Sequence, residues 1–211
     1  MIKENLENIK AAIPKGVILV AVSKTKPESA ILEAYEFGQR VFGENKVQDL
    51  VVKAKALPKD IQWHMIGHLQ TNKVKLIAPF VSLIHGVDSV KLLKEINKRA
   101  AQNDRVIDCL LQIHIAQEET KFGFDESEAQ EVLSNFCEFQ NISIVGLMGM
   151  ATNTTNEQQI RKEFAGLNDL AINLRTENYK LQTISMGMSG DYLLAIQEGS
   201  TMVRVGSAIF G

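Results

Sequence analysis

Lys24 follows an unbroken apolar run, residues 17–22, in the stretch Val-Ile-Leu-Val-Ala-Val-Ser-Lys-Thr-Lys-Pro. A short β-branched run of this kind reads as a strand buried on both faces, with the polar cluster at its carboxyl end. Low dielectric disfavours the charged form of an amine placed there, and Lys26 is a second cation acting in the same direction. A neutral lysine amine is a nucleophile able to form a Schiff base with an aldehyde. The alternative is a lysine with a covered stem and a wet head. The segment by itself leaves both open.

Three further constellations carry candidate chemistry. Residues 186–191 read Met-Gly-Met-Ser-Gly-Asp and open a helix. Gly187 and Gly190 let backbone N–H groups approach an anion, Ser189 adds a hydroxyl, and a helix amino end adds a favourable dipole. Ser189 serves equally well as a plain N-cap. Gly206 and Ser207, after the last apolar run, form a second such turn. Arg204 interrupts Met202, Val203 and Val205. A buried guanidinium must be paired or hydrogen-bonded. It is either a structural ion pair or a donor to a ligand's ring or carboxylate.

Trp63-His64-Met65-Ile66-Gly67-His68 holds two histidines four apart. Metal ligation at that spacing requires a helix, whereas Gly67 intervenes and a strand ends there. A pocket or loop-orienting role fits better, and no metal is expected. Met148, Met150, Met186 and Met188 read as barrel filling. Glu118 and Glu119 read as a solvated loop, and Lys121-Phe122-Gly123 as a rim loop without an assigned role.

These residues need elements to position them. Residues 4–13 form an amphipathic leading helix, with Leu6, Ile9 and Ile13 on one stripe. Strands are predicted at residues 17–23, 41–42, 61–66, 81–84, 106–115, 142–147, 181–185 and 202–205. Helices are predicted from Pro27 to Gly38, through Lys53, from Thr71, and at residues 89–101, 126–139, 157–178 and 191–198. Strict alternation argues parallel pairing, because parallel strands need crossovers. Eight such units close into an α/β fold, a single (β/α)₈ TIM-type barrel, with an open doubly wound sheet as the alternative. Chemistry in a barrel sits at the carboxyl ends of the strands, which here are Lys24, Asn45, His64, His85, Met148-Gly149-Met150, Ser185 and Arg204. Barrels frequently hold a phosphate after strands seven and eight, where the two glycine turns fall.

The 211 residues fit one domain, residues 1–211, with 45% apolar and 23% charged residues. A net charge of -2 leaves no footprint for nucleic acid or an acidic membrane surface. Cys109 and Cys137 lack metal or disulfide-framework spacing and read as small buried apolar groups. The amino terminus reads as a helix, not a signal peptide, and no apolar stretch reaches the length of a membrane span. The expectation is a cytoplasmic protein.

Ala21-Val22-Ser23-Lys24-Thr25-Lys26-Pro27, Phe42-Gly43-Glu44-Asn45, Trp63-His64-Met65-Ile66-Gly67-His68-Leu69-Gln70-Thr71-Asn72-Lys73, Gly146-Leu147-Met148, Ser185-Met186-Gly187-Met188-Ser189-Gly190-Asp191 and Val203-Arg204-Val205-Gly206-Ser207-Ala208-Ile209-Phe210-Gly211 occur in one order. In this the chain closely resembles the pyridoxal phosphate homeostasis protein family, over essentially its whole length. The resemblance implies a fold type III barrel like the amino-terminal domain of alanine racemase, without that enzyme's carboxyl-terminal β domain. It implies pyridoxal 5′-phosphate (PLP) held as an internal aldimine on Lys24, with Arg204 facing the pyridine nitrogen and Asn45 beside the ring. Ser185, Gly187, Met188, Ser189, Gly206 and Ser207 would hold the phosphate.

An arginine donates a hydrogen bond to the ring nitrogen but does not give up a proton, which disfavours carbanion chemistry. The expected function is therefore a non-catalytic PLP carrier in vitamin B6 homeostasis, monomeric, with PLP-dependent enzymes as recipients. A weak amino-acid racemase is the alternative. A purely structural protein would carry no chromophore.

Overall fold

The computed structural model describes residues 1–117, 122–135, 139–176 and 179–211. Its strands are β1 (Ile18–Val22), β2 (Val41–Glu44), β3 (Gln62–Met65), β4 (Leu83–Val87), β5 (Ile107–Gln112), β6 (Ile142–Met148), β7 (Thr183–Ser185) and β8 (Met202–Val205). They pair in sequence order, all parallel, and β8 returns to β1 to close the barrel. The (β/α)₈ expectation therefore holds and the open sheet does not. Val20 lies opposite Arg204 in the closing register.

Side chains alternate across each strand. Val20, Leu83, Leu110, Met148 and Met202 meet in the lumen as a small apolar cluster. Their sequence neighbours Leu19, Ala21, Ile84, Cys109, Leu111, Leu147 and Val203 face outward into the larger core beneath the helices. The helices are α1 (Ile2–Ala12), α2 (Glu28–Glu36), α3 (Val47–Ala56), α4 (Val74–Ile77), α5 (Val90–Ala101), α6 (Glu126–Ser134), α7 (Glu157–Asn173), α8 (Tyr192–Gln197) and α9 (Ser207–Phe210). Sequence marks their starts. Ser89 Oγ accepts from Leu92 N at 3.3 Å, Asp125 and Glu128 make a reciprocal capping box, and Asn156 caps α7. Asn5 Nδ2 donates to Ile209 O at 3.0 Å, which docks α1 on α9.

Several expectations need correction. β4 runs through His85 and Gly86 to Val87, because a lumen-facing histidine can sit in a buried strand when its nitrogens are bonded. Thr71 opens a 3₁₀ turn, Thr71–Lys73, and α4 adds only one further turn. α7 ends at Asn173 and α6 at Ser134. Met188 is 42% exposed, so it fills nothing, while Met148 and Met186 are buried. Cys109 is fully buried, and burial pushes its thiol pKa up. Cys137, Glu118, Glu119 and Lys121 lie outside the described residues.

Candidate functional site

The carboxyl ends of the eight strands surround one mouth of the barrel, called here the upper mouth. Val20 faces the lumen, and Lys24 lies two residues beyond the carboxyl end of β1, at the level of this mouth. Its side chain is exposed. The sequence suggests a lysine in a buried setting, and the structure places it in solvent. Lys26 Nζ donates to Gly211 O at 2.8 Å and Phe210 O at 3.3 Å.

What holds Lys24 is the backbone. Lys26 N donates to Ser23 O at 3.0 Å, closing a tight turn over Lys24 and Thr25. Thr25 sits at φ 65°, in the left-handed region a β-branched residue avoids. Such a conformation costs about 1–3 kcal/mol and persists only where its surroundings impose it. Beneath the turn, Ser23 Oγ donates to Glu44 Oε1 at 2.6 Å. Lys53 Nζ, from α3, donates to that oxygen at 2.7 Å and to Ser23 O at 2.8 Å. Glu44 is fully buried and Lys53 nearly so. Sequence reasoning missed this latch. Its one signal was a glutamate ending an otherwise apolar strand, because α3 carries Gln48, Asp49 and Lys55 beside Lys53.

Asn45, one residue past β2, is exposed at the same mouth. Gly67 packs directly on it, and a Cβ there would run into the Asn45 backbone. Gly67 therefore lets the ends of β2 and β3 approach.

One layer below the mouth, Arg204, Ser185, His85 and His64 fill the lumen in contact. Arg204 Nη1 donates to Ser185 O at 2.8 Å and to Ser185 Oγ at 2.6 Å, and Nη2 donates to Gly149 O at 3.1 Å. Ser185 Oγ lies 2.9 Å from His85 Nδ1, and His85 Nε2 lies 3.0 Å from His64 Nδ1. Burial lowers the guanidinium pKa to about 10, opposed by the charge of Asp191, so Arg204 remains a cation at neutral pH. Burial lowers His64 to about 3. It holds His85 well below the ordinary value, helped by His64 and Arg204. Both rings are neutral.

Ser185 thus sits buried beneath the exposed turns, where it holds Arg204. The turns themselves meet each other. Gly206 N donates to Ser189 Oγ at 3.1 Å. Gly187, at φ 95°, accepts from Arg204 N at 2.9 Å and has no room for a Cβ against Ala195 and Tyr192. Met188 N donates to Asp191 Oδ1 at 2.6 Å. Ser207 is exposed at the start of α9.

His64 and His68 do not share a site. His64 faces the lumen, whereas His68 lies on the rim, bonded to Asp88 at 2.9 Å and stacked on Phe122 at 4.5 Å between ring centroids. Among the described residues no group of three or more His, Cys, Asp or Glu could hold a metal, and no helix is long and apolar enough to cross a membrane. A depression of about 560 Å³ with a mixed lining, including Gln62, His64, Asp108 and Lys180, opens at the opposite, lower mouth. It lies away from the strand carboxyl ends, where barrel chemistry resides.

The residues at the upper mouth suit the chemistry of PLP, an aldehyde that carries a ring nitrogen. Lys24, two residues beyond β1, and Arg204, a buried cation on β8, belong to adjacent strands, and among the described residues no carboxylate is bonded to Arg204. The guanidinium's Nε and one Nη2 hydrogen have no protein acceptor among the described residues. A neutral ring nitrogen supplies the acceptor such a cation needs.

The family model described as "Alanine racemase, N-terminal domain" matches residues 1–211. The pyridoxal phosphate homeostasis protein of Aquifex aeolicus is 42% identical, over 92% of this chain and 86% of that protein. That of Vibrio alginolyticus is 38% identical, over 100% and 97%. PipY of Synechococcus elongatus, solved with PLP bound, superposes with a TM-score of 0.92 at 35% identity, covering 100% of both chains. Alanine racemase from E. faecalis shares the fold, with a TM-score of 0.79 at 16% identity, and this chain covers 57% of it. From the match across the whole sequence and these identities, the chain belongs to the pyridoxal phosphate homeostasis protein family.

Proposed function

We propose that this protein binds PLP at the upper mouth of its barrel and contributes to PLP homeostasis, as a single domain over residues 1–211. The observation that carries the reading is the adjacency of β1 and β8. Val20, four residues before Lys24, lies opposite Arg204 in register, so the amine and the uncommitted guanidinium serve the same mouth.

When bound, PLP supplies an aldehyde carbon that joins a lysine nitrogen with loss of water and leaves by the reverse addition. Lys24 supplies that nitrogen. The Ser23–Glu44–Lys53 latch keeps the turn beneath it in place. Arg204, which holds its proton at neutral pH, would donate a hydrogen bond to the ring nitrogen and would not protonate it. Asn45 would contact the ring from the end of β2. The turns bearing Gly187, Met188, Ser189, Gly206 and Ser207 receive the phosphate, while Ser185 acts through Arg204.

The role is that of a carrier rather than a catalyst. The amine, Asn45, Met188 and Ser207 are all exposed, which suits reversible loading and release. The relatives' name, a homeostasis protein, agrees. The protein acts as a cytoplasmic monomer, and PLP-dependent enzymes are the recipients. The fold shared with alanine racemase favours one competing reading, a weak amino-acid racemase.

Loaded protein incubated with L- and D-amino acids in deuterated water separates the two. The carrier reading predicts no α-proton exchange above free PLP and transfer of PLP to an apo-enzyme. Exchange that disappears in Lys24→Ala contradicts it.

A further inference from the structure

The hydrogen bonds of the lumen have a direction. A guanidinium only donates, so Ser185 Oγ accepts from Arg204 Nη1. The hydroxyl hydrogen of this fully buried serine then needs an acceptor, and His85 Nδ1 at 2.9 Å provides one. Pointing the bond the other way would bury an unbonded hydroxyl hydrogen, at a cost comparable to a lost hydrogen bond. With Nδ1 accepting, a neutral His85 carries its proton on Nε2 and donates to His64 Nδ1 at 3.0 Å. A neutral His64 in turn carries its proton on Nε2. His64 lines the depression at the lower mouth, which gives the last donor in the chain an outlet.

We propose that Ser185, His85 and His64 form a one-way hydrogen-bond relay that holds Arg204 as a cation, oriented toward the ring nitrogen, without a carboxylate. Each donor points away from the guanidinium and each acceptor end points toward it. The aligned dipoles thus favour positive charge at Arg204. A bonded carboxylate would do the same electrostatic task, but would offer its own oxygens to the guanidinium N–H groups needed by the ring. His85 and His64 are positioning residues. They act through Ser185 and Arg204 and touch no ligand. This rests on the PLP reading of the upper mouth.

Two measurements test it together. The first is ¹⁵N NMR of histidine-labelled protein without PLP. Both His64 and His85 are expected as Nε2–H tautomers, and an Nδ1–H tautomer at either position overturns the relay. The second is PLP titration of wild type, His85→Leu and His85→Asn, read by visible absorbance, with circular dichroism as a fold check. His85→Leu should weaken PLP binding by about tenfold or more, the scale of one lost hydrogen bond to a charged group. His85→Asn, which returns an acceptor near the Nδ1 position, should recover most of it. Equal affinity in a folded His85→Leu, or no recovery in a folded His85→Asn, overturns the positioning role. Should His85→Leu not fold, the tautomers of the wild type still decide. Failure of wild type to take up PLP would instead overturn the proposed function, while the tautomers would still decide the direction of the bonds.

Discussion

Ser189 Oγ accepts a hydrogen bond from Gly206 N at 3.1 Å, so the turn after β7 and the turn after β8 are tied into one structure. The barrel closes one strand further on, where β8 pairs with β1. Three consecutive strand ends, bearing Ser189, Gly206 and Lys24, therefore share one side of the upper mouth.

Ser189→Ala should loosen this tie and weaken capture of the phosphate. The expected loss is about 1.5–3 kcal/mol of PLP affinity, the range for a hydrogen bond to a charged group. Ser207→Ala should act in the same direction. Pyridoxal, which lacks the phosphate, provides the control, since its affinity should change little in either variant. Equal losses for PLP and pyridoxal would remove these serines from the phosphate site.

The latch beneath Lys24 makes a stability prediction. Lys53→Met leaves the Glu44 carboxylate buried without its cation, and Glu44 Oε2 already has no hydrogen-bond partner among the described residues. Removing one member of a buried pair costs about 3–5 kcal/mol. Replacing both, as Glu44→Leu with Lys53→Met, should recover most of that loss. Urea denaturation of the two single variants and the double variant measures the coupling. A loss below about 1 kcal/mol in Lys53→Met would mean that the pair contributes no more than an exposed one.

Acid should destabilise the protein through its buried histidines. An unfolded histidine titrates near 6.5, whereas burial holds folded His64 at about 3 and His85 well below its ordinary value. Both folded values are depressed. The unfolded chain therefore binds the extra protons, and the stability present above about pH 6.5 is lost as pH falls toward the folded values. The slope is about 1.4 kcal/mol per pH unit for each histidine. Between about pH 6 and 4.5 most carboxylates stay ionised, so urea midpoints in that window isolate the histidines. His64→Leu should flatten the slope by about half. An unchanged slope would show that the rings are not held neutral.

Sequence and structure agree wherever a strand carries its own signal. Met202–Val205 is a strand as expected because its apolar residues surround a single charge, and Ser89 marks α5 because its hydroxyl accepts from the helix it starts. Lys24, Asn45 and Arg204 were legible as strand-end or strand-interior polar groups. Contacts between distant segments were not. The Glu44–Lys53 pair depends on α3 folding back over β2. The relay depends on β3, β4, β7 and β8 bringing four lumen positions together. His85 was read as the end of its strand because a histidine and a glycine look like a turn until their lumen partners are known. Lys24 is exposed, and not buried as its apolar run suggests, because β1 ends two residues earlier and the chain turns out into solvent.

The most direct test of the central claim is borohydride reduction of the PLP-loaded protein, followed by peptide mapping. Lys24 is expected to carry the reduced pyridoxyl adduct, with the visible band near ~420 nm characteristic of a lysine-bound cofactor lost on reduction. Lys24→Ala should give no adduct at that peptide. Absence of a visible band after incubation with PLP, or an adduct confined to another lysine, would contradict the assignment and return Lys24 to an ordinary residue at the end of a strand.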